Sequence, residues 1–352
     1  MADNSTTPFT SFDDDDLFGR YEFLQKNPHI AIPCIIMVSI ASLAGTFGNI
    51  LILTAVATHK KVRNIESVFI VNLAMSDLYV TAIADPLSIV AKLEGEKFFN
   101  SVPGLCKTIG SLCTISCIGS LMSIGSLSFN RYIRICHQNL YSKLFTKRSC
   151  ICLCVGFYIF GVFLVLLNLA KIGDHQFDRK AILCIWDRMA THNFTIVFSV
   201  VLVWIPMILI GVFYSLIYFY VARHKSNTML STNNNSLQKS VKVQVAKTFF
   251  IIYAIFSVCW IPYALAIAAD HNNSFSHEAH TYIAMWAHLH PSINWIVYYT
   301  THRNFRKAFN DILCRCRNPK WKRGEPGTAS NSESNNATAG TSSQPETSHI
   351  NE

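Results

Sequence analysis

Seven long apolar blocks, at roughly 31–58, 66–92, 103–136, 148–170, 194–222, 242–269 and 279–300, constrain this chain more than any other feature. The hydrocarbon core of a bilayer is about 30 Å thick, so a helix needs about 20 mostly apolar residues to cross it. Every block meets that length. The connections are short and carry polar or turn-forming residues, and no internal repeat relates one half of the chain to the other. The third, fifth and sixth blocks exceed what a bilayer requires and are expected to tilt or project into water. Composition agrees: 51% of residues are hydrophobic and only 14% charged, against about a quarter charged in soluble chains. The expected fold is all-α, a seven-transmembrane helix bundle over 31–300 behind an exposed tail at 1–30.

The net charge of +9 is compatible with nucleic acid or an anionic membrane surface. Lysines and arginines flank the apolar blocks instead of forming a basic domain, so the lipid bilayer is the expected partner and nucleic acid is not. One set of connections holds Lys60, Lys61, Arg63, Arg134, Lys143, Lys147, Arg148, Arg223, Lys239 and Arg306; the other holds the acidic run Asp13 to Asp16 and loops of mixed sign. The basic set is expected to face the cytoplasm, which puts the amino terminus outside and the carboxyl terminus inside. The glycosylation acceptors Asn4, Asn193 and Asn272 then all lie outside. No basic start or apolar core precedes Leu17, so the first span is expected to do the targeting.

Past the seventh block, His302 to Leu313 places Phe305, Phe309, Ile312 and Leu313 among basic residues. That is the pattern of an interfacial eighth helix within 301–317. Cys314 and Cys316 follow at the membrane surface as lipidation candidates. The tail at 318–352 is rich in Ser, Thr, Asn and Gly, lacks the apolar residues of a core and is expected to be disordered.

Several residues do not belong in hydrocarbon. Asp77 lies mid-block, where an ionisable group costs at least a few kcal/mol, so it should face the bundle interior with Ser120 and Asn294 as partners. Asp85, about two turns further out, reads as an acid that snorkels at the outer end, with a cationic ligand group as the alternative partner. Arg131 closes the third block in Asn130-Arg131-Tyr132. Pro86, Pro206, Pro262 and Pro291 interrupt four blocks, each removing a backbone hydrogen bond, which suggests hinges around a cavity. The twelve cysteines show no paired Cys-x-x-Cys spacing, so no metal site is expected. Cys106, just before the third block, and Cys184, in the longest outer loop, would both face the oxidising side and form the natural disulfide. Cys34 is the competing partner, within the first span.

Taken together, the motifs resemble the rhodopsin-like, class A G-protein-coupled receptors over about 30–315. The resemblance rests on Gly48-Asn49, Leu73-Ala-Met-Ser-Asp77, the Cys106 and Cys184 pair, Asn130-Arg131-Tyr132, Pro206 with Tyr214, Phe256-Ser-Val-Cys-Trp260-Ile-Pro262 and Asn294-Trp-Ile-Val-Tyr298. Asn130 stands where the family carries an acid, and Trp295 where helix 7 carries a proline. Pro291, one turn earlier, is expected to supply a displaced kink. Within the family, the stretch from Asn130 to His137, then Tyr141-Ser-Lys-Leu144, resembles melatonin receptors and their invertebrate relatives. Asn168 matches a ligand-contacting asparagine of that group and Trp186 a stacking phenylalanine. Arg188 replaces its ligand-facing glutamine, and Leu202 a histidine of helix 5.

The resemblance implies a receptor at the plasma membrane, not an enzyme. An extracellular small molecule, peptide or lipid would bind in a cavity lined by Cys113, Thr114, Cys117, Asn168, Trp186, Arg188, Leu202, Trp260, Tyr263 and His288. Arg188 could pair with an acidic ligand or stand as a solvated loop residue. Cys113 occupies the place where amine receptors carry an aspartate, which argues against a biogenic amine. Trp260 and Phe256, beside Pro262, would shift the bend of helix 6 and so free Arg131, with Asn130, Tyr132, Tyr214 and Tyr298 nearby, to receive a heterotrimeric G protein. The same resemblance implies the inhibitory class of G protein, arrestin and receptor kinases as partners, and a sodium ion as allosteric modulator beside Asp77, Ser120 and Asn294, although His290 and Pro291 alter positions near the family's sodium pocket. His288 stands where a retinal photoreceptor needs its lysine. A transporter or channel would need repeats or several ionisable groups along a path, whereas only Asp77 is deeply placed.

Overall fold

The computed structural model describes residues 18–167, 172–188, 192–228, 235–270 and 272–317. Asn4, Asn168 and the tail from 318 lie outside them. A short helix α1 (Phe23–Lys26) leads into α2 (Pro28–Thr58), whose first turn opens on proline, a residue that suits a position with no helical N–H to lose. Then come α3 (Ser67–Tyr79), α4 (Asp85–Glu94), α5 (Glu96–Ser101), α6 (Leu105–Cys136), α7 (Gln138–Leu144) and α8 (Lys147–Leu166). A hairpin of β1 (His175–Asp178) and β2 (Leu183–Trp186) follows, then α9 (His192–Ser199), α10 (Ile205–Thr228), α11 (Asn235–Ala269), α12 (His277–Ala287), α13 (His290–Thr301) and α14 (Arg303–Arg317).

Prolines set the irregularities. A π-helical segment, Val80–Ala84, joins α3 to α4 just before Pro86, and a second, Val200–Trp204, precedes Pro206. Each widens the helix where proline withholds its donor. Pro262 lies inside α11, and Pro33 lies inside α2 near its start, a further proline within a span. Pro291 goes beyond a kink: the seventh span is broken at His288 and Leu289 into α12 and α13, with Pro291 in the first turn of the second half.

Among the described residues, six spans are long and apolar enough to cross a membrane; α12 with α13 makes the seventh in two pieces. The surface is inverted relative to a soluble protein. Ile36, Ile40, Leu43 and Phe47 of α2 and Ile159, Val162 and Phe163 of α8 are exposed, while Asn49, Asp77, Ser120, Ser123 and Asn294 are buried. Exposed apolar faces of that extent match a lipid environment. The central helix α6 packs on α3, α8, α10 and α11, and α2 packs on α13.

The chain divides into two compact units, Met1–Ile312 and Leu313–Glu352. The bundle and most of α14, with Phe305, Ala308 and Phe309 buried, belong to the first. In the second, the described residues are the end of α14, where Cys314 is an exposed free thiol; Cys316 falls in the same helix.

Candidate functional site

The polar core forms around Asp77. Ser120 Oγ donates to its Oδ1 at 2.7 Å and Asn294 Nδ2 to its Oδ2 at 2.6 Å, so the two partners named from sequence are both in place. Asn49 Nδ2 donates to the Pro291 carbonyl at 3.2 Å, tying α2 to the break in the seventh span. Trp295 packs so closely on Gly48 that a Cβ there would collide with the indole. Glycine in the first span thus makes room for the tryptophan that replaces the family's proline.

Toward the disulfide end lies a cavity of about 90 Å³. Cys113, Thr114 and Cys117 of α6 border it, spaced so that they share one helix face. Trp186 and Arg188 come from the loop, Leu202 from the π-helical segment, Phe256, Trp260 and Tyr263 from α11, and His288 from the broken seventh span. Apart from Asn168, outside the described residues, every residue that sequence named for ligand contact therefore meets at one cavity. Sequence reading missed Thr195 and Ser199, which also border it. Their signal was helical spacing, since Ser199, Leu202 and Val203 fall on one face.

The hairpin roofs the cavity and is pinned by the Cys106–Cys184 disulfide, with Cα atoms 5.1 Å apart; Cys34 stays a buried free thiol. Trp186 Nε1 donates to Thr195 Oγ1 at 3.1 Å, and Thr114 Oγ1 lies 2.9 Å from His175 Nε2. Burial pushes the His175 imidazole down to about 4, despite the opposing pull of Asp174. Arg188 corrects the sequence reading. It is buried, and its guanidinium donates to Asp178 and Asp270, each at 3.2 Å, and to Asn273 Oδ1 at 2.5 Å. It is therefore neither a solvated loop residue nor an unmatched cation awaiting an acidic ligand. Asp270 also meets His280 Nε2 at 2.7 Å, and Lys180 Nζ donates to the Asn273 and Phe275 carbonyls, each at 2.6 Å. Burial works to raise the Asp270 carboxyl, but the Phe275 amide, His280, Lys180 and Arg188 together hold it below the ordinary carboxylate value. Asn272 is exposed in the adjacent turn, and Asn193 falls within α9.

Asp85 is the second correction. It does not snorkel: it is fully buried and its Oδ1 lies 2.9 Å from His288 Nδ1. Sequence gives a residue's depth along a helix more readily than which way it faces. Asp85 opens α4 with Pro86 as its second residue, directly after the π segment that changes the helix's rotation.

At the opposite end, Arg131 is buried and paired with Glu66, which also pairs with Arg134. Arg131 lies over the Phe249 ring, 5.2 Å from its centroid. Asn130 Nδ2 reaches the Tyr141 hydroxyl at 3.5 Å, leaving Asn130 Oδ1 without a partner. Tyr132 stacks on Phe213 and meets His137, Tyr214 pairs with Ser128 Oγ at 3.2 Å, and Tyr298 is buried against Phe305. Sequence reading missed Glu66. The clue was the acid absent at Asn130: a buried arginine needs a carboxylate, and Glu66 opens the second span at the same end.

Residues 48–298 match the family described as "7 transmembrane receptor (rhodopsin family)". The chain is 27% identical to melatonin receptor type 1C of Gallus gallus over 78% of its own length and 79% of that receptor. It is 26% identical to melatonin receptor type 1A of Ovis aries over 76% and 73%, and 26% identical to type 1B-B of Danio rerio over 84% and 86%. Among solved structures it is similar to squid rhodopsin, with a TM-score of 0.70 and 19% identity over 83% of this chain and 87% of that one. At that identity the likeness shows a shared fold.

Proposed function

Since this chain belongs to the rhodopsin family of seven-transmembrane receptors, we propose that its ligand is small, uncharged and mostly apolar, with one hydrogen-bonding group. The chain is a G-protein-coupled receptor and a multi-pass plasma-membrane protein, with melatonin receptors among its relatives. The observation that carries the ligand class is the charge balance of the cavity. Its two basic wall residues are each matched from behind, Arg188 by Asp178 and Asp270, and His288 by Asp85. A charged ligand would give up its hydration and find no unmatched countercharge. Ser199 Oγ, buried and without a partner at the wall, is the polar handle for a donor or acceptor on the ligand.

The Arg131 end faces the cytoplasm in this reading, because the basic connections gather there. The amino terminus is then extracellular, Asn193 and Asn272 are available for glycosylation, and Cys314 and Cys316 for lipidation. A ligand that favours one packing of Trp260 against Phe256, stacked at 5.7 Å, favours one bend of α11 at Pro262 and shifts the population toward an open Arg131 end. The inhibitory G-protein class, arrestin and receptor kinases follow from the resemblance as proposed partners.

A screen of uncharged indoles, lipids and short peptides, with cyclic-AMP and calcium readouts in transfected cells, tests this. Melatonin is the first probe, with weak activity expected because Arg188 and Leu202 replace the glutamine and histidine of its receptors. For the uncharged hit that emerges, Ser199→Ala lowers potency about 5–10-fold, the worth of one ordinary hydrogen bond. A hit set made only of cations or carboxylates contradicts the ligand class.

A further inference from the structure

The family resemblance implies a sodium ion beside Asp77, and the residues present do not fit one. A hard cation collects oxygen ligands. Here both Asp77 oxygens already accept hydrogen bonds, from Ser120 and from the Asn294 amide, whose N–H presents a positive edge. Besides the Ser120 hydroxyl, His290 Nε2 stands near Oδ1 at 3.9 Å, buried and without a hydrogen-bond partner. The next residue, Pro291, offers no side-chain donor atom.

The other face of the same ring reaches the cavity wall. Trp260 Nε1 lies 3.0 Å from His290 Nδ1. An indole N–H only donates, so Nδ1 accepts and the neutral ring carries its proton on Nε2, the nitrogen that faces Asp77. The Ala287 carbonyl, 2.9 Å from the same Nδ1, is the competing partner: it only accepts, and cannot be served by Nδ1 while Trp260 is. Phe256 and Trp260 hold the ring edge-on, with centroids at 4.9 and 5.8 Å. A displacement of the Trp260 indole therefore removes the hydrogen bond that fixes which face of His290 meets the carboxylate.

We propose that His290 is a positioning residue that links the cavity wall to the buried carboxylate, and that its imidazole takes the place of a monovalent cation. The line runs from Trp260 through His290 to Asp77 and on to Ser120 and Asn294, joining four spans. The proposal concerns the site described above and rests on the receptor reading. Its test needs neither ligand nor G protein, so the two readings fail separately.

Thermal unfolding of the purified full-length receptor is compared in sodium chloride and in choline chloride at equal ionic strength. The wild type unfolds at the same Tm in both. His290→Asn, which replaces the ring with an amide oxygen, gains a sodium-dependent rise in Tm that Asp77→Asn removes. A wild-type Tm that rises with sodium and loses the rise in Asp77→Asn overturns the replacement, and that comparison stands even where His290→Asn does not fold. The link is tested by the cycle of Trp260→Phe, His290→Phe and the double variant, read as Tm loss. Less-than-additive losses are expected, because either change alone breaks the bond. Strictly additive losses overturn the link.

Discussion

At the disulfide end, Arg188 faces two carboxylates, Asp178 and Asp270, and Lys180 and His280 complete the network. At the Arg131 end Glu66 is the one carboxylate between two guanidiniums. The first arrangement ties two loops and two helix ends over a cavity, with a disulfide beside it. In the second, one carboxylate just before α3 is shared by two guanidiniums of α6, each taking one of its oxygens. A roof is expected to stay shut while a ligand is held, and a transducer face is expected to open. Having one carboxylate instead of two puts the weaker closure where movement is needed.

The comparison breaks first at the roof. Arg188→Met removes the guanidinium that Asp178 and Asp270 share and lowers unfolding stability by about 3 kcal/mol, the range for removing one partner of a buried pair; a Tm unchanged from wild type shows the clasp to be ornamental. Cys106→Ser is next, at about 2–4 kcal/mol for a lost native disulfide, measured by the same unfolding scan under non-reducing conditions. At the other end Glu66→Gln costs less stability but changes activity. Basal nucleotide exchange on a reconstituted G protein rises about 5–30-fold, within the span of ordinary coupling energies. Arg188→Met does not raise it.

The smallest effect sharpens the comparison through pH. His175 is held near 4 in the folded roof, against about 6.5 in an unfolded chain. Between those values the unfolded chain binds the extra proton, so stability falls as pH drops through that window. Below it, as pH falls through the depressed value of Asp270, the clasp is lost as well. His175→Gln flattens the decline of Tm between about pH 6.5 and 4, and an unchanged slope assigns the decline to other groups.

The bundle was legible because bilayer-crossing length is written directly in apolar runs. Asp77 with Ser120 and Asn294 was legible because a buried carboxylate leaves few partners to choose from. Cys106 with Cys184 was legible from their shared side of the membrane. What stayed hidden depends on helix rotation. Asp85 was placed at the right depth but turned the wrong way, because the π-helical segment before it alters which face looks inward. Glu66 lies 65 residues from Arg131 in sequence, and only the two spans' mutual packing brings them together. Arg188 was read as open to a ligand because its counterions come from two separate loops. The break at His288 and Leu289 could be read as a bend at Pro291, but not as a full interruption.

The central claim is that one carboxylate holds the Arg131 end closed, and a rescue experiment addresses it most directly. Basal nucleotide exchange is measured in nanodiscs for the wild type, Glu66→Gln, and Glu66→Gln with Asn130→Asp, at matched receptor amounts. The account predicts low exchange, high exchange, and a return toward low exchange as the new aspartate beside Arg131 supplies the missing charge. Equal exchange in the wild type and Glu66→Gln would contradict it.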